Sequence, residues 1–260
     1  MRELNEIIDG AIQALEGMKR SGVTHIEVSR ETWETLTRPV LMGATFQARP
    51  GSASPAQGHT GKGAPANTHA AAPELARLGA RAKTCVLCKE LAGCRHNVVF
   101  GVGNPRAEIM FVGEAPGRDE DSQGEPFVGR AGELLTKIIA AMGCNREEVY
   151  IANVLKCRPP ENRTPLPHEV TNCLPYLISQ IELIQPKIIV ALGATAVRAL
   201  LDVQLGITKM RGHWYTFRDI PIMPTFHPAY LLRNPGAKKE VWEDMKAVLE
   251  KLGREVPKSR

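Results

Sequence analysis

The residues best placed for chemistry begin with Gly113–Gly132, GEAPGRDEDSQGEPFVGRAG. This stretch holds five glycines, two prolines, six charged side chains ahead of Arg130 and one isolated aromatic, Phe127. It follows the apolar run Ile109–Val112, so a buried strand opens into it. Glycine lets backbone amides approach a ligand closely, and crevices form at the carboxyl ends of parallel strands. Rigid Gly/Pro punctuation combined with charge and a single aromatic reads as a site rather than a connector. No Gly-Lys-Ser/Thr follows, so this is not a nucleotide P-loop.

The cysteines form the second constellation: Cys85, Cys88, Cys94, Cys144, Cys157 and Cys173. Cys85 and Cys88 make a CxxC, and Cys157 and Cys173 follow far downstream with fifteen residues between them. A CxxC lets two thiolates grip one centre, and a longer-spaced pair closes it. Spacing alone leaves zinc and a [4Fe–4S] cluster both open, with Cys94 as a competing ligand. Cys144 reads as an ordinary small residue after a helix.

These residues need a scaffold. Apolar runs at Ile109–Val112, Val149–Asn153, Ile188–Leu192, His213–Phe217 and Ile222–Phe226 read as strands. They alternate with helical patterns over Ala131–Met142, Pro167–Ile184, Ala194–Leu201 and Lys239–Leu252. Apolar strands between helices predict a mostly parallel sheet covered on both faces, with sites at the strands' carboxyl ends. Residues 1–42 read as a helix-strand-helix element. Residues 43–73, rich in Gly, Ala, Pro, Ser, Thr and His, read as a disordered linker, and 74–260 as the main domain. A net charge of +5 leans towards a polyanionic partner. Its basic residues cluster at Lys156, Arg158 and Arg163, at Lys209 and Arg211, and at Arg233, Lys238 and Lys239. No apolar run approaches the ~20 residues of a membrane span and no secretory signal is evident, so a cytoplasmic protein is expected.

Three blocks together resemble a known family. GEAPGRDEDSQGEPFVGRAG, NVLKCRPPENRTP (Asn153–Pro165) and TFHPAYLLRNP (Thr225–Pro235) are similar to the signature blocks of the iron–sulfur, family 4, uracil-DNA glycosylases. The resemblance covers Cys85 to Leu249 and leaves out the N-terminal element and linker. It implies an α/β/α sandwich around a short, mostly parallel sheet. It also implies a [4Fe–4S] cluster on Cys85, Cys88, Cys157 and Cys173, without Cys94, and hydrolysis of deoxyuridine's N-glycosidic bond in single- or double-stranded DNA.

The same resemblance assigns roles. Phe127 would stack on a flipped base. Asn153 would donate to the uracil 4-oxygen and accept from N3–H, a pattern that cytosine reverses. His227 would donate to the 2-oxygen as the anionic uracil departs. Glu114 and Ala115 would line the pocket; the better-known uracil-DNA glycosylases carry an aspartate where Ala115 stands. Glu120 and Asn162 are candidates for contact with the attacking water. Arg158, Arg163, Leu231, Leu232 and Arg233 would meet DNA, the leucines in a loop able to wedge into the duplex. A monomer is expected, with a repair or replication partner for the N-terminal element. The alternatives are a non-turnover binder of uracil or abasic DNA from the same superfamily and a zinc-bound nucleic-acid module.

Overall fold

The computed structural model describes residues 71–257 apart from 202 and 204. The expected N-terminal element and most of the expected linker lie outside the described residues. The last residues assigned to that linker, 71–73, instead open helix α1, Ala71–Lys83. Ala71, Leu75 and Leu78 are buried, a stripe at helical spacing that the alanine-rich surroundings obscure.

The remaining helices are α2 (Lys89–Cys94), α3 (Arg118–Gln123), α4 (Arg130–Ala141), α5 (Pro167–Ile184), α6 (Ala194–Leu201), α7 (Ile207–Met210), α8 (Pro228–Arg233) and α9 (Lys238–Lys251). The strands are β1 (Val102–Gly103), β2 (Ile109–Gly113), β3 (Tyr150–Asn153), β4 (Ile188–Leu192), β5 (Tyr215–Phe217) and β6 (Ile220–Thr225). They form one sheet in the order β1-β3-β2-β4-β6-β5. The four inner strands run parallel, and β1 and β5 pair antiparallel at the edges.

Every residue of β2, β3 and β4 is buried, as continuous apolar strands require when helices cover both faces. Met110, Val112, Ala152, Ile189 and Ala191 pack towards α1, α5 and α6. Ile109, Phe111, Ile151, Ile188 and Val190 pack towards α4, α8 and α9. This is a three-layer α/β/α sandwich. The chain leaving β2 crosses to α4 on one face, whereas those leaving β3 and β4 cross to α5 and α6 on the other. Loops therefore part above the end of β2, where such sheets open a crevice.

Expected and observed elements differ at the edges. The strand expected from His213 begins at Tyr215, and the one expected from Ile222 begins at Ile220, because a tight turn at Arg218 and Asp219, both at positive φ, joins them as a hairpin. The wedge loop expected after His227 is the helix α8, with His227 as its N-cap and Pro228 in its first turn. No helix among the described residues is long and apolar enough to cross a membrane.

Candidate active site

A cavity of about 230 Å³ sits above β2, β3 and β6 and is walled by Glu114, Ala115, Glu120, Phe127, Asn153, Asn162, Arg163 and His227. Parallel register sets its floor, with Gly113 of β2 directly beside Asn153 of β3. A Cβ at residue 113 would stand 2.3 Å from Asn153 Oδ1 and 2.6 Å from Phe127 Cζ. Only glycine leaves the floor open.

Phe127 is buried and held at φ 56°, a backbone state costly for a bulky residue and concentrated at functional sites. Its ring lies 5.5 Å from that of His227, tilted by 34°. Both rings line the cavity.

Asn153 is 2% exposed, and its Oδ1 is the one buried side-chain oxygen or nitrogen among the described residues with no hydrogen-bond partner. An orphaned buried acceptor costs about 1–3 kcal/mol, so it marks a place where a ligand donor belongs. Behind it, Lys156 Nζ donates to the Asn153 main-chain carbonyl at 2.7 Å and to Gln180 Oε1 at 2.6 Å. Lys156, grouped by sequence with surface cations, is in fact buried beneath the pocket.

His227 is half-buried. Its Nδ1 accepts from Ala229 N at 3.2 Å, which places the ring proton on Nε2. Burial, and secondarily the charge of Arg233, pushes its pKa down to about 4. The ring is a neutral imidazole with one N–H to offer.

Other expected site residues are occupied otherwise. Glu120 accepts from Gly117 N at 3.0 Å and from Val128 N and Gly129 N, each at 3.1 Å. Both of its oxygens tie the glycine-rich loop together, so it shapes the cavity. Glu114 accepts from the Thr195 hydroxyl. Asn162 sits at φ 57°, next to Glu161 at φ 53°, and its Oδ1 accepts from Arg158 Nε at 2.7 Å. Arg163 lines the cavity, but both its terminal nitrogens serve Glu169, and one also serves Glu90. That pairing holds the Glu169 carboxyl below its ordinary range and fixes the Arg163 guanidinium in place at the cavity wall. Leu231 is 1% exposed, which corrects its assignment as a wedge: in a helix it falls on the inner face. Leu232, 38% exposed, and Arg233 point outwards.

The CxxC at the start of α2, Cys157 in the loop after β3 and Cys173 on α5 lie near one another, close enough to shift one another's ionisation. Among the described residues, no three His, Cys, Asp or Glu side chains converge tightly enough to hold a single metal ion. N–H donors nevertheless face three of these sulfurs. Arg95 Nη1 lies 3.0 Å from Cys157 Sγ, Lys156 N lies 3.2 Å from Cys173 Sγ, and Asn172 Nδ2 lies 3.6 Å from Cys88 Sγ. Burial pushes the Cys157 thiol up and the Cys173 thiol up to about 11. Thiolates form there only against a cationic centre, and the N–H groups suit thiolates bound to one. Cys94 is exposed, and its thiol donates to the Leu91 and Arg158 carbonyls.

Sequence reasoning missed Lys156, Gln180, Thr195 and the Thr225–Asp244–Arg211 group. Lys156 and Thr225 lie inside signature blocks and the others carry no motif, but only the fold reveals which pocket residue each supports.

The profile of the uracil DNA glycosylase superfamily matches residues 100–246. A Type-4 uracil-DNA glycosylase of Thermotoga maritima is 49% identical over 182 residues, covering 66% of this chain and 93% of that protein. One of Archaeoglobus fulgidus is 44% identical over 187 residues, covering 66% and 94%. A Type-5 uracil-DNA glycosylase of Pyrobaculum aerophilum is 32% identical over 152 residues, covering 52% and 66%.

Proposed function

The chain belongs to the uracil DNA glycosylase superfamily, and from that premise we propose that it excises uracil from DNA as the Type-4 enzymes are named for doing. The observation that carries this reading is the unpartnered Asn153 Oδ1 in a cavity flanked by Phe127 and His227. Uracil N3–H supplies the missing donor, and the Asn153 amide NH₂ donates to its 4-oxygen. Cytosine brings no proton at N3 and a second donor at position 4, leaving both halves of the amide unmatched. Buried mismatches of that kind discriminate by about 10⁴-fold.

Deoxyuridine flips from the stack and its base lies against Phe127. The C1′–N1 bond breaks, its electron pair moves onto uracil, and His227 donates Nε2–H to the 2-oxygen on which charge gathers. Water adds its oxygen to C1′ and gives up a proton, the uracil anion takes one up, and the products are an abasic sugar and free uracil. We assign Asn162, at the cavity wall, to contact with that water, and Glu120 to holding the loop. Arg158, Arg163, Leu232 and Arg233 remain as the DNA contacts. Cys85, Cys88, Cys157 and Cys173 would hold a [4Fe–4S] cluster. When bound, it would supply a staple between distant loops and no electrons to the hydrolysis.

Incubation with a labelled oligonucleotide containing one deoxyuridine, followed by alkali, tests the reading. Cleavage at the uracil position, with free uracil released, is expected. An oligonucleotide left intact by iron-replete protein would overturn it, and so would retention of the protein on the abasic product as a covalent adduct without turnover.

A further inference from the structure

His227 is aimed by a loop, and its own side chain bonds only to the helix it caps. What fixes the loop lies behind it. Thr225, the fully buried last residue of β6, donates its hydroxyl to Asp244 Oδ2 of α9 at 2.6 Å. Asp244, 1% exposed, also receives Arg211 Nε at 3.1 Å and Nη2 at 2.5 Å. The Arg211 guanidinium lies 5.6 Å from the centre of the Phe226 ring, which also packs against the Tyr230 ring at 4.8 Å. On the Thr225 main chain, the carbonyl accepts from Gly193 N at 2.9 Å. Gly193, at φ 89°, lies against His227; a Cβ there would be 3.2 Å from His227 Cβ. Thus the two residues preceding His227 are both gripped through one buried carboxylate.

We propose that Asp244, acting through Thr225 and Arg211, is the positioning residue that sets where His227 stands over the departing base. The proposal rests on the assignment of His227 to the leaving group. Buried ion pairs add little net stability relative to apolar packing, because desolvation offsets their attraction. Their gain is in fixed geometry. Burial pushes the Asp244 carboxyl up, against the opposing pull of Thr225 and Arg211, so this carboxylate is costly to keep. A donor displaced by a fraction of an ångström loses much of its value in the transition state and little in the ground state, where the uracil 2-oxygen is neutral.

The test is a cycle of Thr225→Val and His227→Ala, with Thr225→Ser as the conservative control. Each is measured by single-turnover excision and by affinity for a duplex carrying a cleavage-resistant 2′-fluorinated deoxyuridine. Thr225→Val is expected to slow excision about tenfold in the parental background while analogue affinity stays within about twofold. Thr225→Ser should restore the rate. In the His227→Ala background Thr225→Val should change nothing further, a non-additivity that general loosening of the fold would not produce. An equal loss in both backgrounds, or parallel losses of rate and analogue affinity, would overturn the proposal while leaving parental excision, and so the functional reading, intact. Asp244→Asn carries the same cycle with a change at the carboxylate itself and applies if Thr225→Val does not fold.

Discussion

The two walls of the cavity are built differently. Asn153 stands on the last residue of a central strand, in register with Gly113, with Lys156 and Gln180 wedged behind its main chain. His227 stands two residues beyond the end of β6, on the cap of a six-residue helix, and depends on side-chain contacts reaching across from α9 and from Arg211 at the end of α7. The wall proposed to read the base is thus part of the sheet, while the wall proposed to meet the leaving group is a loop held from behind. Reading uracil requires an amide that cannot turn. Catalysis requires a neutral donor, and removal from water supplies that neutrality.

The largest effect is expected where the first wall is anchored. Cys173 faces the Lys156 amide, and Lys156 in turn holds the Asn153 carbonyl. Cys173→Ala should remove iron and visible absorbance and most of the soluble yield, whereas Cys94→Ala, an exposed thiol bonded only to carbonyls, should keep both. Iron lost from the Cys94 variant and kept in the Cys173 variant would reverse the ligand assignment.

The second wall should break without unfolding. His227→Ala is expected to lower single-turnover excision by about 10²–10³, the usual cost of losing one such donor, with iron content unchanged and the melting temperature lowered only by the lost cap on α8. A loss confined to substrate affinity would remove His227 from the chemical step.

Phe127 touches both walls, and its replacement should be milder. Phe127→Ala is expected to weaken capture of the flipped base by about 1–3 kcal/mol, the range for one base–aromatic stack. Alanine keeps the positive-φ cost and loses the packing of a buried ring, so folding stability should fall as well. Thermal melting and single-turnover excision across an enzyme titration separate the two. A variant equally active at subsaturating enzyme would show that the ring only fills space.

Much of this was legible in the sequence, for identifiable reasons. Continuous apolar strands and 3.6-residue stripes gave α5 and α6 to the residue, because the covered sheet demands those patterns. Phe127, Asn153 and His227 stand out locally, as an aromatic amid charge, an amide ending a strand and a histidine before proline. Leu231 was misplaced because a run of apolar residues does not reveal which of them a helix turns inwards. Lys156 was misread and the ion pairing of Arg163 went unseen because a basic residue in sequence carries no sign of its partner. Both partners, Gln180 and Glu169, lie on α5 and meet them only once the sheet has formed.

The smallest expected effect is the sharpest test of how the second wall works. His227 has its pKa pushed to about 4, by burial first and Arg233 second, from an ordinary value of 6.5. It is therefore neutral through the whole physiological range, and the Nε2–H donor is fully present there. The rate step it serves should be flat from about pH 8 down to about pH 5. A donor working as imidazolium would instead give a rate that rises as pH falls through 6.5. The stability sign follows from the same shift. The folded-state pKa lies below the unfolded one, so the unfolded chain binds the proton more readily. The contribution of His227 to stability is complete above about 6.5 and declines as pH falls from there towards about 4. Single-turnover excision at constant ionic strength, run beside urea melts at the same pH values, separates the two curves. A flat rate over a falling stability would place the neutral ring in the chemistry. A rate that climbs on acidification would mean that the imidazole charges on binding DNA, and the contrast between the two walls would then need a different origin.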